Sequence, residues 1–327
     1  GGFRYINGVI RRFTKGLRDG RFMRYRAEIV PWLSWLTLRS DCRIFQDKTV
    51  PQILELIFEK LRELILEELD SKGKGHPEMI QYRFDLAQYR PDLPDKRRVY
   101  IPWDYCVQYR ETDFNFVSRL MEAEGIFYYF EHEEQKHTLV LVDKPVNCCD
   151  CPEQSEVYLQ EEAPKDERED TIVSCELSRS LYPGQTVLRD YHFELPDDTL
   201  EVPEPTMVPE RQSEVWEVFD YPGDYAQKFN KPGQRLGDVK AEGKTLVRLR
   251  MEEEETGYVV LQGVSYCRAF MPGYTFSVLS RAWEEMEDPF LLTHLEHSGI
   301  QSPSYVSDEQ VLDAYKNRFT GIPAAMP

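Results

Sequence analysis

Residues 22–30 alternate Met23, Tyr25, Ala27 and Ile29 with Arg24, Arg26 and Glu28, the two-residue period of a strand with one face to bury and one to keep wet. Residues 3–13 form a second strand-like run. Between the two runs, Lys15, Gly16, Leu17, Arg18, Asp19 and Gly20 have turn composition, so a β-hairpin is expected, half of a sandwich or barrel. Beyond the tryptophan-rich residues 31–35 the period becomes helical. Thr49 and Gln52 have capping-box spacing, and Pro51 suits a first helical turn. Ile53, Leu54, Ile57, Phe58, Leu61, Leu64 and Ile65 then form a stripe that stops at Asp70-Ser71-Lys72-Gly73. The stripe reads as core, and the charged extension over 63–74 has no evident purpose. A second helix is predicted by Thr112 or Asp113 as N-cap, by Phe114, Val117, Leu120 and Met121 on one face, and by Gly125 as its stop. Residues 126–130 and 138–142 then read as a hairpin joined by the polar 132–137.

The second half is patterned differently. Residues 152–170 are dominated by acids, with Pro152 and Pro164, and read as a connector or exposed loop. Strands are expected at 171–178, 186–194, 214–220, 258–266, 274–280 and 290–297, with one helix at about 235–255. The expected fold class is α+β, mainly β, with two β-barrel-like or sandwich-like domains linked by an α+β domain. The expected domains are a remnant of a first barrel or sandwich at 1–37, an α+β middle domain at 38–150 and an acidic connector at 151–170. A second barrel or sandwich at 171–310 and a terminal strand or linker at 311–327 complete the layout. Residues 40–45 and 265–270 share four of six identities, too short a match to establish a repeat.

Charge narrows the partners. The 327 residues hold 40 Lys and Arg against 58 Asp and Glu, a net charge of −18 that disfavours nucleic acid and anionic membrane. Within residues 1–26, however, Arg4, Arg11, Arg12, Lys15, Arg18, Arg21, Arg24 and Arg26 face one acid, Asp19. Either a basic edge meets an acidic neighbour or a strand face is simply solvated. No apolar run reaches the ~18 residues of a membrane helix, and the start lacks signal-peptide order. The chain begins Gly1-Gly2 without Met, so further N-terminal sequence is expected. Seven cysteines without a paired C-x-x-C framework fit a reducing compartment, and Cys148, Cys149 and Cys151 are too close in sequence to suit one tetrahedral metal site.

Candidate chemistry does not survive inspection. His132 and His137 are five apart where a zinc helix needs four, and their flanks read as strands. Gly237 to Thr245 has five residues between its glycines where a phosphate loop has four, and Asp238 and Glu242 would repel phosphate. No G-x-S-x-G elbow exists, and carboxylate pairs carry no information without a measured separation. No catalytic, cofactor-binding or metal-binding residue is assigned, no cofactor is expected, and the chain reads as a non-enzyme.

Residues 105–130, YCVQYRETDFNFVSRLMEAEGIFYYF, closely resemble the valine-glycine repeat protein G family, the spike protein of type VI secretion. Residues 21–35, 40–54 (SDCRIFQDKTVPQIL), 181–194 and 315–323 resemble the same family, in matching order and spacing. The resemblance implies a phage baseplate hub-type region with two related barrels per chain, so that a trimer adapts a sixfold tube to a threefold spike. It also implies a homotrimer that contacts a hexameric tube protein, baseplate proteins, a spike-tip protein and effectors. The protein would be assembled in the bacterial cytoplasm and then injected. The family usually has more chain before Gly1, and an oligonucleotide-fold barrel and β-helix spike after Pro327, neither visible here. Two rival readings are a β-rich receptor- or glycan-binding module, for which 19 Tyr and 17 Phe supply aromatics, and a cell-wall hydrolase.

Overall fold

The computed structural model describes residues 4–19, 22–71, 80–86, 100–144, 148–161, 170–208, 216–233, 235–280, 288–300 and 315–326. The chain divides into two compact units. The first comprises 1–143, 192–195 and 224–239, and the second 144–191, 196–223 and 240–327. Among the described residues, no helix is long and apolar enough to cross a membrane.

In the first unit, β1 (Val9–Asp19) and β2 (Phe22–Val30) form the expected antiparallel hairpin. The expected turn at 15–20 is mostly strand, because pairing resumes at Arg18↔Met23 and Asp19↔Phe22 after a register shift. A 3-10 helix (Trp32–Leu38) follows and buries Trp32, Leu33 and Leu36. β3 (Ser40–Phe45) pairs antiparallel with β5 (Cys106–Thr112), two strands the hydrophobic pattern did not announce. α1 (Val50–Ser71) starts on a reciprocal capping box: the Thr49 N–H donates to Gln52 Oε1 at 3.0 Å and the Gln52 N–H to Thr49 Oγ1 at 3.5 Å.

α2 (Asp113–Ala123) takes Thr112 as its N-cap, whose side chain accepts from the Asn115 N–H at 3.1 Å. It ends in a Schellman turn. Gly125 has φ 66°, the Ile126 N–H reaches the Met121 carbonyl at 2.8 Å, and the Gly125 N–H reaches that of Glu122 at 3.2 Å. A three-stranded sheet is ordered β4 (Gln81–Asp85), β7 (His137–Val142), β6 (Phe127–His132), with β4 parallel and β6 antiparallel to the central strand. β7 is buried on both sides at Val140, Leu141 and Val142, as a covered central strand should be. Leu139 and Leu141 join Trp32, Phe58, Phe116 and Leu120 in one core. Each such side chain contributes roughly 1.5–3 kcal/mol through burial.

The second unit contains a three-stranded sheet ordered β11 (Glu201–Pro205), β10 (Gln185–Arg189), β12 (Glu217–Asp220), with β11 antiparallel and β12 parallel to β10. Its six-stranded sheet is ordered β8 (Glu156–Tyr158), β14 (Thr275–Leu279), β15 (Phe290–Gly299), β16 (Tyr315–Pro323), β13 (Val259–Ser265), β9 (Ile172–Arg179). Phe270, Phe276 and Phe319 meet at centroid distances of 4.6–5.5 Å and centre its core. α3 (Leu236–Glu255) occupies the predicted helical stretch.

Two expectations change here. The acidic stretch read as a connector supplies β8, because Val157 is fully buried against β14. The terminal segment read as a strand or linker does form a strand, β16, which lies between β15 and β13. The strand expected at 186–194 stops at Arg189, and β11, whose Pro203 and Pro205 hid it, sits on a sheet edge where proline is tolerated. Among the described residues the fold is mainly β with three α-helices, and the second unit contains a six-stranded and a three-stranded sheet.

Candidate interaction surface

The β1–β2 ribbon has two unlike faces. A bulge at Arg11 shifts the register between Ile10 and Arg12, which brings Ile10 and Phe13, three residues apart, onto one face opposite Ile29 and Ala27. Phe13 and Tyr25 stack on that face at 5.6 Å. The other face pairs Arg12 with Glu28 and Thr14 with Arg26, and Gly16 packs against Arg24. The alternation expected of β2 is present, but the expected burial of its apolar side is not: Ile10, Phe13, Tyr25 and Ile29 are 58–62% exposed. A two-stranded ribbon is marginal by itself in water. Covering those four side chains would stabilise it by on the order of 5 kcal/mol. Lys15, opposite Tyr25, and Arg11, at the bulge, add positive charge beside this apolar stripe, so an acidic, partly apolar neighbour fits it best.

The ends of the ribbon are tied to the β6–β7 hairpin. Before β1, the Asn7 N–H donates to His132 Nδ1 at 3.0 Å, while its side-chain amide donates to the Lys136 carbonyl at 3.0 Å and to that of Glu133. After β2, the Trp32 N–H donates to His137 Nε2 at 3.0 Å. His132 and His137 are cross-strand partners with rings stacked at 5.7 Å. Burial pushes both imidazoles below their ordinary range, His137 to about 4, with Arg4 adding to the effect on His132 and His132 to that on His137. These two histidines are therefore structural acceptors on strands.

In the second unit, Trp216, Phe219 and Tyr221 are exposed on and beside β12, an edge strand carrying Glu217 and Asp220. An exposed, partly apolar edge is a pairing template. Of the sequence features weighed for chemistry, Gly237 to Thr245 lies within α3, where Thr245 Oγ1 donates to the Ala241 carbonyl at 3.2 Å. Cys151 is buried and Cys149 exposed. Among the described residues, no three His, Cys, Asp or Glu side chains are grouped to hold a metal ion. The ribbon's apolar stripe was legible in sequence as a pattern, whereas its exposure and its histidine ties were not.

A family model described as the phage tail baseplate hub (GPD) matches residues 1–303. Two type VI secretion system spike proteins of Pseudomonas aeruginosa, VgrG1c and VgrG1a, are each 31% identical over 92% of this chain. The chain spans 36% and 41% of their respective lengths. Among solved structures, the E. coli c3393 protein, described as a type VI secretion component resembling T4 bacteriophage tail proteins, aligns with a TM-score of 0.58 at 18% identity. That alignment covers 98% of this chain and 61% of the other, and shows a shared fold.

Proposed function

Because the chain belongs to the phage tail baseplate hub family, we propose that it is the hub region of a type VI secretion spike protein and works mechanically rather than as an enzyme. The observation that carries the reading is the ribbon, which among the described residues presents an apolar stripe more than half exposed at Ile10, Phe13, Tyr25 and Ile29. A surface of this kind marks an interaction site. In a homotrimer, each ribbon would lie against the acidic surface of the next copy, for which the exposed β12 edge is a suitable acceptor.

The domain plan proposed is the ribbon within residues 1–37 as part of a first barrel, 38–150 as an α+β middle domain, 151–170 as a link and 171–310 as most of a second barrel, with 311–327 leading toward a spike. The six-stranded sheet supports the second barrel, to which β8 and β16 then also belong. Three copies would set six barrel elements around one axis and so match a hexameric tube to a threefold spike. Baseplate proteins, a spike-tip protein and effectors are the further partners proposed. Assembly would occur in the bacterial cytoplasm, followed by delivery into a target cell by the contractile apparatus.

Mixing the chain with the hexameric tube protein of the same cell and imaging the products tests the reading. The expected result is a cap on one end of each tube, lost on Phe13→Glu/Ile29→Lys substitution. Tubes that stay uncapped at saturating concentration, with the chain folded, contradict it.

A further inference from the structure

The sequence singled out His132 and His137 as a failed metal motif, and the structure gives them another use. Each accepts a backbone N–H, one from Asn7, two residues before β1, the other from Trp32, two residues after β2. One pair of adjacent rings therefore takes part in holding both ends of the ribbon, beside the Asn7 side-chain amide's bonds to the Lys136 and Glu133 carbonyls. We propose that His132 and His137 form a proton-sensitive latch that holds the β1–β2 ribbon in place at neutral pH and releases it in acid. The latch goes beyond the hub reading and does not depend on it.

The chemistry follows from acceptor count. A neutral imidazole has one acceptor nitrogen, so His132, accepting at Nδ1, carries its proton on Nε2, and His137, accepting at Nε2, carries its proton on Nδ1. Protonation makes both nitrogens donors, so each backbone N–H would then face another N–H. Two imidazolium rings would also stand stacked at 5.7 Å. The charged groups around the pair offer them no relief. Arg4 is a further cation near His132. Glu131 on β6 is held by Arg83 of β4 through two contacts of 2.8 and 2.9 Å, and Glu133 by Lys136 at 3.2 Å. From the 3-10 helix side His137 meets the Trp32 N–H, and from β6 the Phe130 ring at 5.7 Å.

The sign is that of a lowered folded value. The folded chain binds fewer protons than the unfolded one, in which histidine titrates near 6.5. The latch is closed above that value, and its contribution is lost as pH falls from there toward 4, the range of His137. Because the rings touch the ribbon's ends, the loss is local to residues 7–32 before it is global.

Hydrogen exchange on the full chain at about pH 7.5, 6 and 5, corrected for intrinsic rates, tests this. Protection of β1 and β2 amides is expected to fall at least about tenfold relative to β13 and β16. His132→Asn/His137→Gln places carboxamide oxygens near the two acceptor positions and should flatten that response. Should the double variant fail to fold, NMR of the unaltered chain at about pH 7.5 decides, with opposite neutral tautomers expected at the two rings. Unchanged ribbon protection down to pH 5, a double variant that responds like the unaltered chain, or a shared tautomer would overturn the latch.

Discussion

Buried charge is where single residues matter most. Asp113, almost wholly buried at the start of α2, accepts from Gln108 Nε2 at 2.8 Å and pairs with Arg43 and, at 3.8 Å, with Arg39. Removing Asp113 takes away the buried carboxylate on which Gln108, Arg43 and Arg39 converge, so Asp113→Ala is expected to destabilise the first unit by about 2–3 kcal/mol in urea unfolding. Asp113 was legible as a helix-start residue but its partners were not, since Arg43 is seventy positions away in sequence. Lys228 and Glu124 form a second buried pair at 2.7 Å, with Lys228 also over the Trp103 ring at 5.4 Å. Lys228→Met alone should cost about 3 kcal/mol, while adding Glu124→Leu should recover most of it, the signature of a pair whose attraction barely exceeds its desolvation. The cysteines separate by burial. Desolvation raises the Cys106 thiol to about 11 and Cys267 to about 12, so at pH 8 a maleimide should label exposed Cys42 and Cys149 within minutes and spare those two until unfolding.

Elements with local signals were legible. The capping box of α1 and the Thr112 cap and Gly125 stop of α2 act within four residues of themselves, and α1 starts, and α2 starts and ends, where those signals stand, while the expected stop of α1 at 70–73 reaches beyond the described residues. Strands that depend on distant partners were not. β3 and β5 pair across some sixty residues, β8 is three residues long within an acidic run, and β11 carries two prolines. β13 shows what such pairing requires: a Cβ on Gly263 would come within 2.6 Å of both the Ser174 carbonyl oxygen and the Phe319 ring. Because β13 is flanked by β9 and β16, neither neighbour can retreat easily. Gly263→Ala is expected to lower the stability of the second unit by about 1–3 kcal/mol, read from thermal or urea unfolding. Thr112→Ala, which removes one cap, should cost about 1 kcal/mol.

At the scale of the molecule, the sequence pattern of β2 calls for a buried face, and among the described residues that face stays more than half exposed at Ile10, Phe13, Tyr25 and Ile29. Period-two alternation sets a strand and its two faces but not what covers them, so the strand was legible and its covering was not. The same logic separates stability from assembly. Ile10, Phe13 and Ile29 are exposed in the single chain, so charged replacements there should leave the unfolding midpoint nearly unchanged at concentrations where the chain is dissociated, while weakening self-association. The trimer proposed for the hub is tested first by the solution mass from light scattering over a concentration series, for the unaltered chain and for Phe13→Glu/Ile29→Lys. Three times the 38.6 kDa chain mass is expected for the former and a shift toward 38.6 kDa for the latter. A mass of 38.6 kDa for the unaltered chain at every concentration, or a trimer indifferent to the substitutions, would contradict it.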